Sequence, residues 1–416
     1  MQPKHNNNLD ILRGIAALTV VLFHLENYRS DFDKKFSFGE LLNYNFPGHM
    51  AVLIFFILSG YVIGINTPAL SNKMEIGKYV KKRLVRILPI YFIAIFFAVA
   101  IAPEKYTLSK ILSNLLFISV PLDNVLAEDG PIWSLNYELL YYFAFIFFSW
   151  FNVSLSKTVK ITMGIIALIF VFFHNIKIHP LPLSYFIGFI FWITGAMIAK
   201  RNTWLKWEIS NSRILAVFML IFCLQPLNPY GPILKVLHVP VADYSSYSMF
   251  QKSISYTDIF FYPLAILLIF SLTHIYSKYN RVLLYCIFGF PALRFIMLCY
   301  TYGWDFIIKE HYIIPSLLII FSFLLWILNF QFPGKIKNAI KSTSAMSNIS
   351  YAMYIIHLPL IMLFGIVPAA TVFYYVVKLL AYFIILFFVS YFLEDIYQPY
   401  IKKLFFRKKN NPAVPV

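Results

Sequence analysis

The segment LDILRGIAALTVVLFHL, residues 9–25, is almost wholly apolar but carries two ionisable side chains, Arg13 and His24. Its length approaches the roughly 20 residues that cross a bilayer as a helix. At about 3.6 residues per turn, the two side chains lie on nearly the same face, about 16 Å apart along the axis. Ionisable groups in a span usually face a bundle interior or a wet cavity. The segment therefore predicts a membrane helix with one polar face, unless Arg13 and His24 only reach the two interfaces.

The rest of the 416-residue chain repeats this apolar character, with 60% hydrophobic and 13% charged residues. A soluble domain has about a quarter of its residues charged. The sequence therefore predicts an all-α, polytopic transmembrane helix bundle of about 10–12 spans. The candidate spans are residues 9–25, 48–66, 86–102, 132–151, 159–174, 183–199, 212–225, 258–276, 282–300, 311–329, 349–366 and 370–393.

The net charge of +17 is concentrated in alternate connections between these spans, such as 67–85, 200–213 and 330–348. This is the pattern of the positive-inside rule, and it predicts that both termini lie in the cytoplasm. The same pattern argues against a nucleic-acid-binding protein. All three cysteines fall in apolar segments, which indicates neither a disulfide framework nor a metal site.

Two further stretches carry ionisable groups into apolar segments. Arg83 and Arg86, in KKRLVRILP, share a helix face at the start of the third span. They are either topology determinants or a grip for the phosphates of a nucleotide-bearing donor. Glu138 and Tyr142, in WSLNYELLYY, share a face of the fourth span. A buried glutamate needs a partner, and His24 or an arginine are the candidates, in a structural ion pair or as an orienter of the histidine.

Three other polar features have a simpler interpretation. The stripe of Ser350, Tyr354 and His357 in SNISYAMYIIHLPLI favours hydrogen bonding between helices, as is usual for polar groups in a span. Ser59, beside Gly60 in FFILSGY, favours close helix packing, because no nucleophile-elbow motif surrounds it. His49, just ahead of the second span, is either interfacial or functional, and its position favours the interface.

Together these stretches resemble the acyltransferase-3 family of membrane-bound O-acyltransferases. The family's opening R-x10-H run is similar to LDILRGIAALTVVLFH, with Ile11 where glycine is usual. FFILSGY, KKRLVRILP, WSLNYELLYY and ISYAMYIIH follow in the family's order, up to about residue 360. In the fourth of these five runs, Leu139 replaces a second glutamate, so any acid chemistry there depends on Glu138 alone.

The resemblance implies transfer of an acyl group, usually acetyl from acetyl-CoA, to a hydroxyl of a sugar or surface glycan such as lipopolysaccharide. The chain would then be a polysaccharide-modifying O-acetyltransferase of the bacterial inner membrane, with acyl-CoA as donor substrate and no bound cofactor or metal. It divides into an integral membrane domain at 1–400 and a basic cytoplasmic tail at 401–416, with no soluble esterase-like domain expected.

The predicted site follows from these motifs. We assign His24 and Glu138 as catalytic residues, with His24 as general base or transient acyl carrier. The residues assigned to donor or substrate binding are Arg13, Arg83, Arg86, Tyr142 and His357. A lipid-linked-sugar or small-molecule transporter remains the alternative, as does, with less support, a membrane glycosyltransferase. The acceptor and the oligomeric state are left open.

Overall fold

The computed structural model describes residues 6–36, 44–173, 181–201, 204–231, 254, 256–309 and 312–406. Most of these residues are helical, which confirms the predicted all-α class. The helices are α1 Asn7–Asn27, α2 Arg29–Phe32, α3 Gly48–Asn66, α4 Lys73–Ile101, α5 Leu108–Leu115, α6 Trp133–Trp150, α7 Leu155–Phe173, α8 Leu181–Lys200, α9 Asn211–Met219, α10 Ile221–Leu227, α11 Tyr262–Leu272, α12 Asn280–Leu284, α13 Phe290–Lys309, α14 Ile313–Leu328, α15 Gly334–Ser342, α16 Met346–Gly365, α17 Val372–Tyr391 and α18 Gln398–Phe406.

The described part of the chain also contains short 3₁₀ and π segments and one small β pairing. The 3₁₀ segments are Pro103–Lys105, Ala127–Ile132, Tyr256–Phe261 and Thr343–Ala345, and the π segments are Tyr285–Gly289 and Phe392–Tyr397. Strand β1, Leu205–Lys206, pairs antiparallel with β2, Ile275–Tyr276, in the register Leu205 to Tyr276. This pairing joins two connections between helices.

Within the described residues, eight helical stretches are long and apolar enough to cross a membrane. They are Asn7–Asn27, Gly48–Asn66, Lys73–Ile101, Leu155–Phe172, Leu181–Lys200, Asn280–Ile307, Thr343–Gly365 and Val372–Phe406. Three shorter apolar stretches are Asn211–Leu227, Thr257–Leu272 and Ile313–Leu328. Helix α6 is not among the eight, and Asn136 and Glu138 reduce its apolar character. Each predicted span overlaps a helix, so the polytopic bundle is confirmed, and eight of the described stretches are both long and apolar enough to cross a membrane.

Helix α4 begins earlier than the sequence predicts. The basic stretch assigned to a loop at 67–85 is helical from Lys73 onward. Asn72 caps this end by accepting a hydrogen bond from the Glu75 backbone N–H, while the Glu75 carboxylate accepts from the Ser71 backbone N–H at 2.8 Å. Reciprocal capping of this kind satisfies backbone donors at a helix start. As a result, Arg83 and Arg86 are held on a helix well inside its ends.

The boundary predicted at residue 400, between the membrane domain and the basic tail, falls inside a helix. Helix α18 continues through the position assigned to the end of the membrane domain and ends at Phe406. Residues 407–416 of the predicted tail lie outside the described residues, as do positions 174 and 311 at the ends of two predicted spans.

The centre of the bundle is built on close contacts of α3 with α8 and of α1 with α3 and α16. A Cβ at Gly60 would lie 1.8 Å from the Trp192 carbonyl oxygen, and one at Gly195 would lie 2.0 Å from the Ile57 carbonyl oxygen. Glycine at these positions lets the two backbones touch, as small residues do between membrane helices. The prediction that Gly60 allows close packing is confirmed, and the contact fixes where the polar side chains of α3 stand.

Candidate active site in the helix bundle

A cavity of about 210 Å³ lies inside the bundle, between helices α1, α3, α4, α6 and α16. Apolar residues such as Val52 and Phe55 form part of its wall. Its polar lining includes Arg13, Ser59, Arg83, Arg86, Glu138 and Tyr142. The fold therefore brings five of the seven predicted site residues to one cavity, although they come from three separate helices.

Glu138 is held in this cavity by hydroxyl groups. Its Oε1 accepts a hydrogen bond from Ser59 Oγ at 2.6 Å and a second from the Tyr142 hydroxyl, which lies one turn along α6. Trp192 Nε1 donates to Ser59 Oγ at 3.3 Å. The predicted contact of Glu138 with His24 or an arginine is thus wrong, because these hydroxyls take its oxygen instead. Ser59 is a hydrogen-bonding partner as well as a small packing residue.

Arg86 is already engaged by a carboxylate. Its two terminal nitrogens both donate to Glu394, with Nη2 to Oε1 at 3.1 Å, and the Ala352 backbone N–H also donates to that oxygen at 3.3 Å. Glu394 lies in the π segment after α17 and is almost wholly buried. The bidentate pair ties α4 to the C-terminal helices. It differs from the phosphate contact predicted for Arg86.

Arg13 is linked to the start of α16. Its Nη1 donates to Ser347 Oγ at 3.3 Å and lies 3.6 Å from an Asp10 carboxylate oxygen. Ser347 Oγ in turn lies 3.2 Å from the same Asp10 oxygen. This small network orients the guanidinium and partly balances its charge at the cavity wall.

In the described part of the chain, Arg83 makes fewer polar contacts than Arg13 or Arg86. Its Nε is buried and has no hydrogen-bond partner among the described residues. Its guanidinium carbon lies 5.5 Å from the Tyr79 ring centre and 5.7 Å from that of Tyr142, within the range of cation–π attraction. A cation held by ring faces keeps its N–H donors free for an anion.

His24 pairs with another histidine. His24 Nδ1 lies 3.1 Å from His357 Nε2, and their ring centres are 4.9 Å apart. His24 is partly exposed, whereas His357 is wholly buried. His357 thus contacts the predicted base rather than the predicted donor site. Among the described residues that line the cavity, neither histidine appears.

Helices α1 and α16 run side by side in the same direction. Arg13 meets Ser347 near the start of both helices, and His24 meets His357 further along both. Two contacts at nearly equal spacing mean that Arg13 and His24 face the same neighbour. This confirms the prediction from their eleven-residue separation that they share a helix face.

Tyr354 connects the histidine pair with the cavity. It lines the cavity, and its ring centre lies 6.2 Å from that of His357. Its hydroxyl lies 2.8 Å from Ser134 Oγ and donates to the Pro131 carbonyl at 2.9 Å. Tyr354 therefore borders both the cavity and the buried histidine of the pair.

A second histidine–carboxylate pair lies at the start of α3. His49 Nε2 is 2.8 Å from a carboxylate oxygen of Asp258, whose side chain is almost wholly buried, and the His49 ring lies 6.4 Å from that of Trp133. The His49 side chain stays about one quarter exposed, so this contact adds a buried partner to a residue predicted near the interface. No local sequence pattern indicated this long-range partner.

Residues 6–233 match the model of a protein family described as an acyltransferase domain, which is more than half of the chain. The chain belongs to the acyltransferase-3 family. No curated protein and no solved structure matches it. The acyltransferase-3 match includes Arg13, His24, Arg83 and Glu138, whereas the sequence resemblance extends further, to His357.

Membership of the acyltransferase-3 family and the eight spanning helices identify a multi-pass membrane acyltransferase. The part of the chain beyond the match contributes α16 and α17 to the candidate site. Helix α16 supplies both His357 and Tyr354, and the π segment after α17 supplies Glu394. The candidate site is therefore assembled from both halves of the sequence.

Proposed function

We propose that this acyltransferase moves an acetyl group from acetyl-CoA to a hydroxyl of a sugar or surface glycan at the bacterial cytoplasmic membrane. The observation that carries the proposal is the cavity whose polar wall holds Arg13, Arg83 and Glu138, on whose α1 side the same helix also carries His24. The guanidinium of Arg83 can bind the phosphates of an acyl-CoA, the apolar wall can hold its pantetheine arm, and the nearby imidazole can take the proton of the acceptor hydroxyl.

The donor is proposed to bind with its charged end toward Arg83 and Arg13. Guanidinium groups form strong, directional hydrogen bonds with phosphate oxygens, and Arg83 has an unpartnered buried Nε. The pantetheine arm would run along the apolar wall that includes Val52 and Phe55. Arg86 supports this arrangement indirectly, because its salt bridge with Glu394 holds α4 in place.

His24 is proposed to act as the general base. Its free ring nitrogen takes the proton from the acceptor hydroxyl, and the oxygen attacks the thioester carbonyl. The carbon–sulfur bond then breaks, and the proton passes to the departing thiolate to give CoA and an ester. Glu138 is assigned to the donor side, where it offsets the charge of the arginines and fixes the hydroxyls of Ser59 and Tyr142.

The proposal is tested by measuring alkali-labile acetate on the host's surface glycans. A deletion strain is compared with the same strain restored by the intact protein or by His24→Ala, and membrane levels of both proteins are measured. We expect the intact protein alone to restore acetate. Restoration by both would contradict the role of His24, and unchanged acetate in every strain would contradict transfer of acetate to these glycans.

Binding of acetyl-CoA to the purified protein then separates the remaining explanations. A protein that binds acetyl-CoA but leaves surface acetate unchanged would have another acceptor. A protein that does not bind acyl-CoA would instead support a transporter.

A further inference from the structure

We propose that His357 is a positioning residue that fixes the tautomer and orientation of His24, so that Nε2 of His24 is the basic nitrogen. The inference rests on the proposed function, because it assigns a partner to the proposed base. It reassigns His357 from donor binding to the hydrogen-bond network of the histidine pair.

The proton on His357 is placed by its own helix. His357 Nδ1 lies 2.8 Å from the Tyr354 carbonyl oxygen. A carbonyl oxygen can only accept, so Nδ1 carries the hydrogen. In a neutral imidazole the other nitrogen is then an acceptor. His357 Nε2 therefore presents a lone pair toward His24.

The proton on His24 follows from that arrangement. His24 Nδ1 lies 2.9 Å from the Val20 carbonyl oxygen and 3.1 Å from His357 Nε2. Both neighbours are acceptors, so His24 Nδ1 carries the hydrogen and shares it between them. Nε2 of His24 is left with its lone pair, as a general base requires.

The two acceptors have different consequences during the reaction. Val20 belongs to the same helix and holds the ring only locally, whereas His357 reaches it from α16. When Nε2 takes a proton, the ring becomes positive, and its Nδ1–H forms a stronger, charge-assisted hydrogen bond. His357 then stabilises the charged ring, a role that an acidic residue has in many catalytic triads.

His357 is held rigidly enough to do this. Its side chain is wholly buried, and its backbone carbonyl accepts a hydrogen bond from Tyr382 of α17 at 3.3 Å. The contact between Arg13 and Ser347 fixes the same two helices nearer their starts. A base supported by a packed, hydrogen-bonded neighbour keeps the geometry that the reaction needs.

The kinetic experiment compares His357→Gln with His357→Leu in the purified full-length protein. The glutamine amide oxygen can accept from His24 Nδ1–H, whereas leucine fills the space without an acceptor. We expect His357→Leu to lower kcat at least about tenfold, with little change in KM for acetyl-CoA, and His357→Gln to recover much of the loss. Leu360→Met, on the same helix, is the matched control, because it exchanges one buried apolar side chain for another of similar volume and leaves both rings and their hydrogen bonds in place.

Two results would overturn the assignment. An unchanged kcat in His357→Leu would show that the hydrogen bond between the two histidines does not contribute to the reaction. Equal losses in both variants, with raised KM or a lower unfolding temperature, would assign His357 to packing. If the wild-type preparation shows no acyl transfer, the proposed function fails by itself, and the tautomer is then tested without any reaction.

That second test is nitrogen NMR of the protein with ¹⁵N-labelled histidine. The signals of His24 are identified by their loss in His24→Gln, among the nine histidines of the chain. We expect a protonated Nδ1 and an unprotonated Nε2, with the Nδ1 signal shifted in His357→Leu. An Nε2-protonated His24, or a signal that His357→Leu leaves unmoved, would overturn the proposal.

Discussion

At the scale of single residues, the three arginines of the cavity have similar sequence settings but different partners. Arg86 is neutralised by Glu394, and Arg13 is shared between Asp10 and Ser347. Arg83 keeps a buried Nε without a partner in the described chain. Donor recognition should therefore depend most on Arg83.

Arg83→Gln is expected to weaken binding of acetyl-CoA about tenfold or more, because a charge-assisted hydrogen bond contributes about 1.5–3 kcal/mol. Lys78→Gln is the matched control, since Lys78 is an exposed cation on the same helix. Titration of the purified proteins with acetyl-CoA measures both. Equal affinities for Arg83→Gln and Lys78→Gln would remove Arg83 from the donor site.

Asp129, in the 3₁₀ segment before α6, is a buried acid outside the spanning helices. Neither carboxylate oxygen has a hydrogen-bond partner among the described residues, and burial raises the pKa of this group well above its usual value. The folded state therefore favours the protonated form. The stability that comes from keeping this carboxyl group protonated is fully present below its pKa in the unfolded state. It is lost as pH rises through its higher pKa in the folded state.

Asp129→Asn should consequently be more resistant to thermal unfolding than the wild type at the high end of the pH range. The gap should narrow as the solution is acidified, because the wild-type carboxyl group then becomes neutral. Unfolding temperatures measured in one detergent across pH check this. A wild-type advantage that grows with pH would mean that the ionised carboxylate is stabilised.

At the scale of helices, the contact between α3 and α8 decides the position of Ser59. Gly60 lets α3 touch the backbone at Trp192, and the Trp192 indole donates to the neighbouring Ser59. Ser59 in turn donates to Glu138 on α6. A packing contact on one side of α3 is thereby linked to the hydrogen-bond network in the cavity.

Gly60→Ala should separate these helices and destabilise the protein by about 1–3 kcal/mol, the usual cost of overpacking a core. A Cβ at Gly77, in contrast, meets nothing within 4 Å. Gly77→Ala is therefore the matched control and should be neutral or slightly stabilising. Thermal unfolding compares the two, and equal behaviour would contradict the close approach of α3 and α8.

At the scale of the whole molecule, the bundle should sit with both termini in the cytoplasm. The connection between α3 and α4 would then be cytoplasmic, and that between α4 and α5 external. This orientation agrees with the basic charge near Lys73 and the mixed charge near Glu104. It also places the arginine-lined part of the cavity on the side from which acyl-CoA is supplied.

In a background in which Cys223, Cys286 and Cys299 are replaced by serine, Glu104→Cys should react with a membrane-impermeant maleimide in intact cells. Lys73→Cys should react only after the membrane is permeabilised. Both positions are exposed in the structure, so access to the reagent reports the side of the membrane. The reverse pattern would invert the orientation of the bundle.

The sequence alone determined the class of this protein and most of its candidate residues. Long apolar segments require helices in a bilayer, because backbone groups there must be hydrogen-bonded within the segment. The eleven-residue spacing of Arg13 and His24 fixed their shared face, since helical periodicity is local. For the same reason, Arg83 with Arg86 and Glu138 with Tyr142 could be recognised as pairs.

Only the tertiary structure decided which of these groups meet. Glu138 accepts a hydrogen bond from Ser59 of α3, Arg86 pairs with Glu394 from far along the chain, and His24 contacts His357 rather than Glu138. These partners depend on how helices pack side by side, and sequence periodicity carries no information about which faces adjoin. The hydrogen-bond partners of each candidate residue therefore follow from packing, although the residues themselves can be recognised in the sequence.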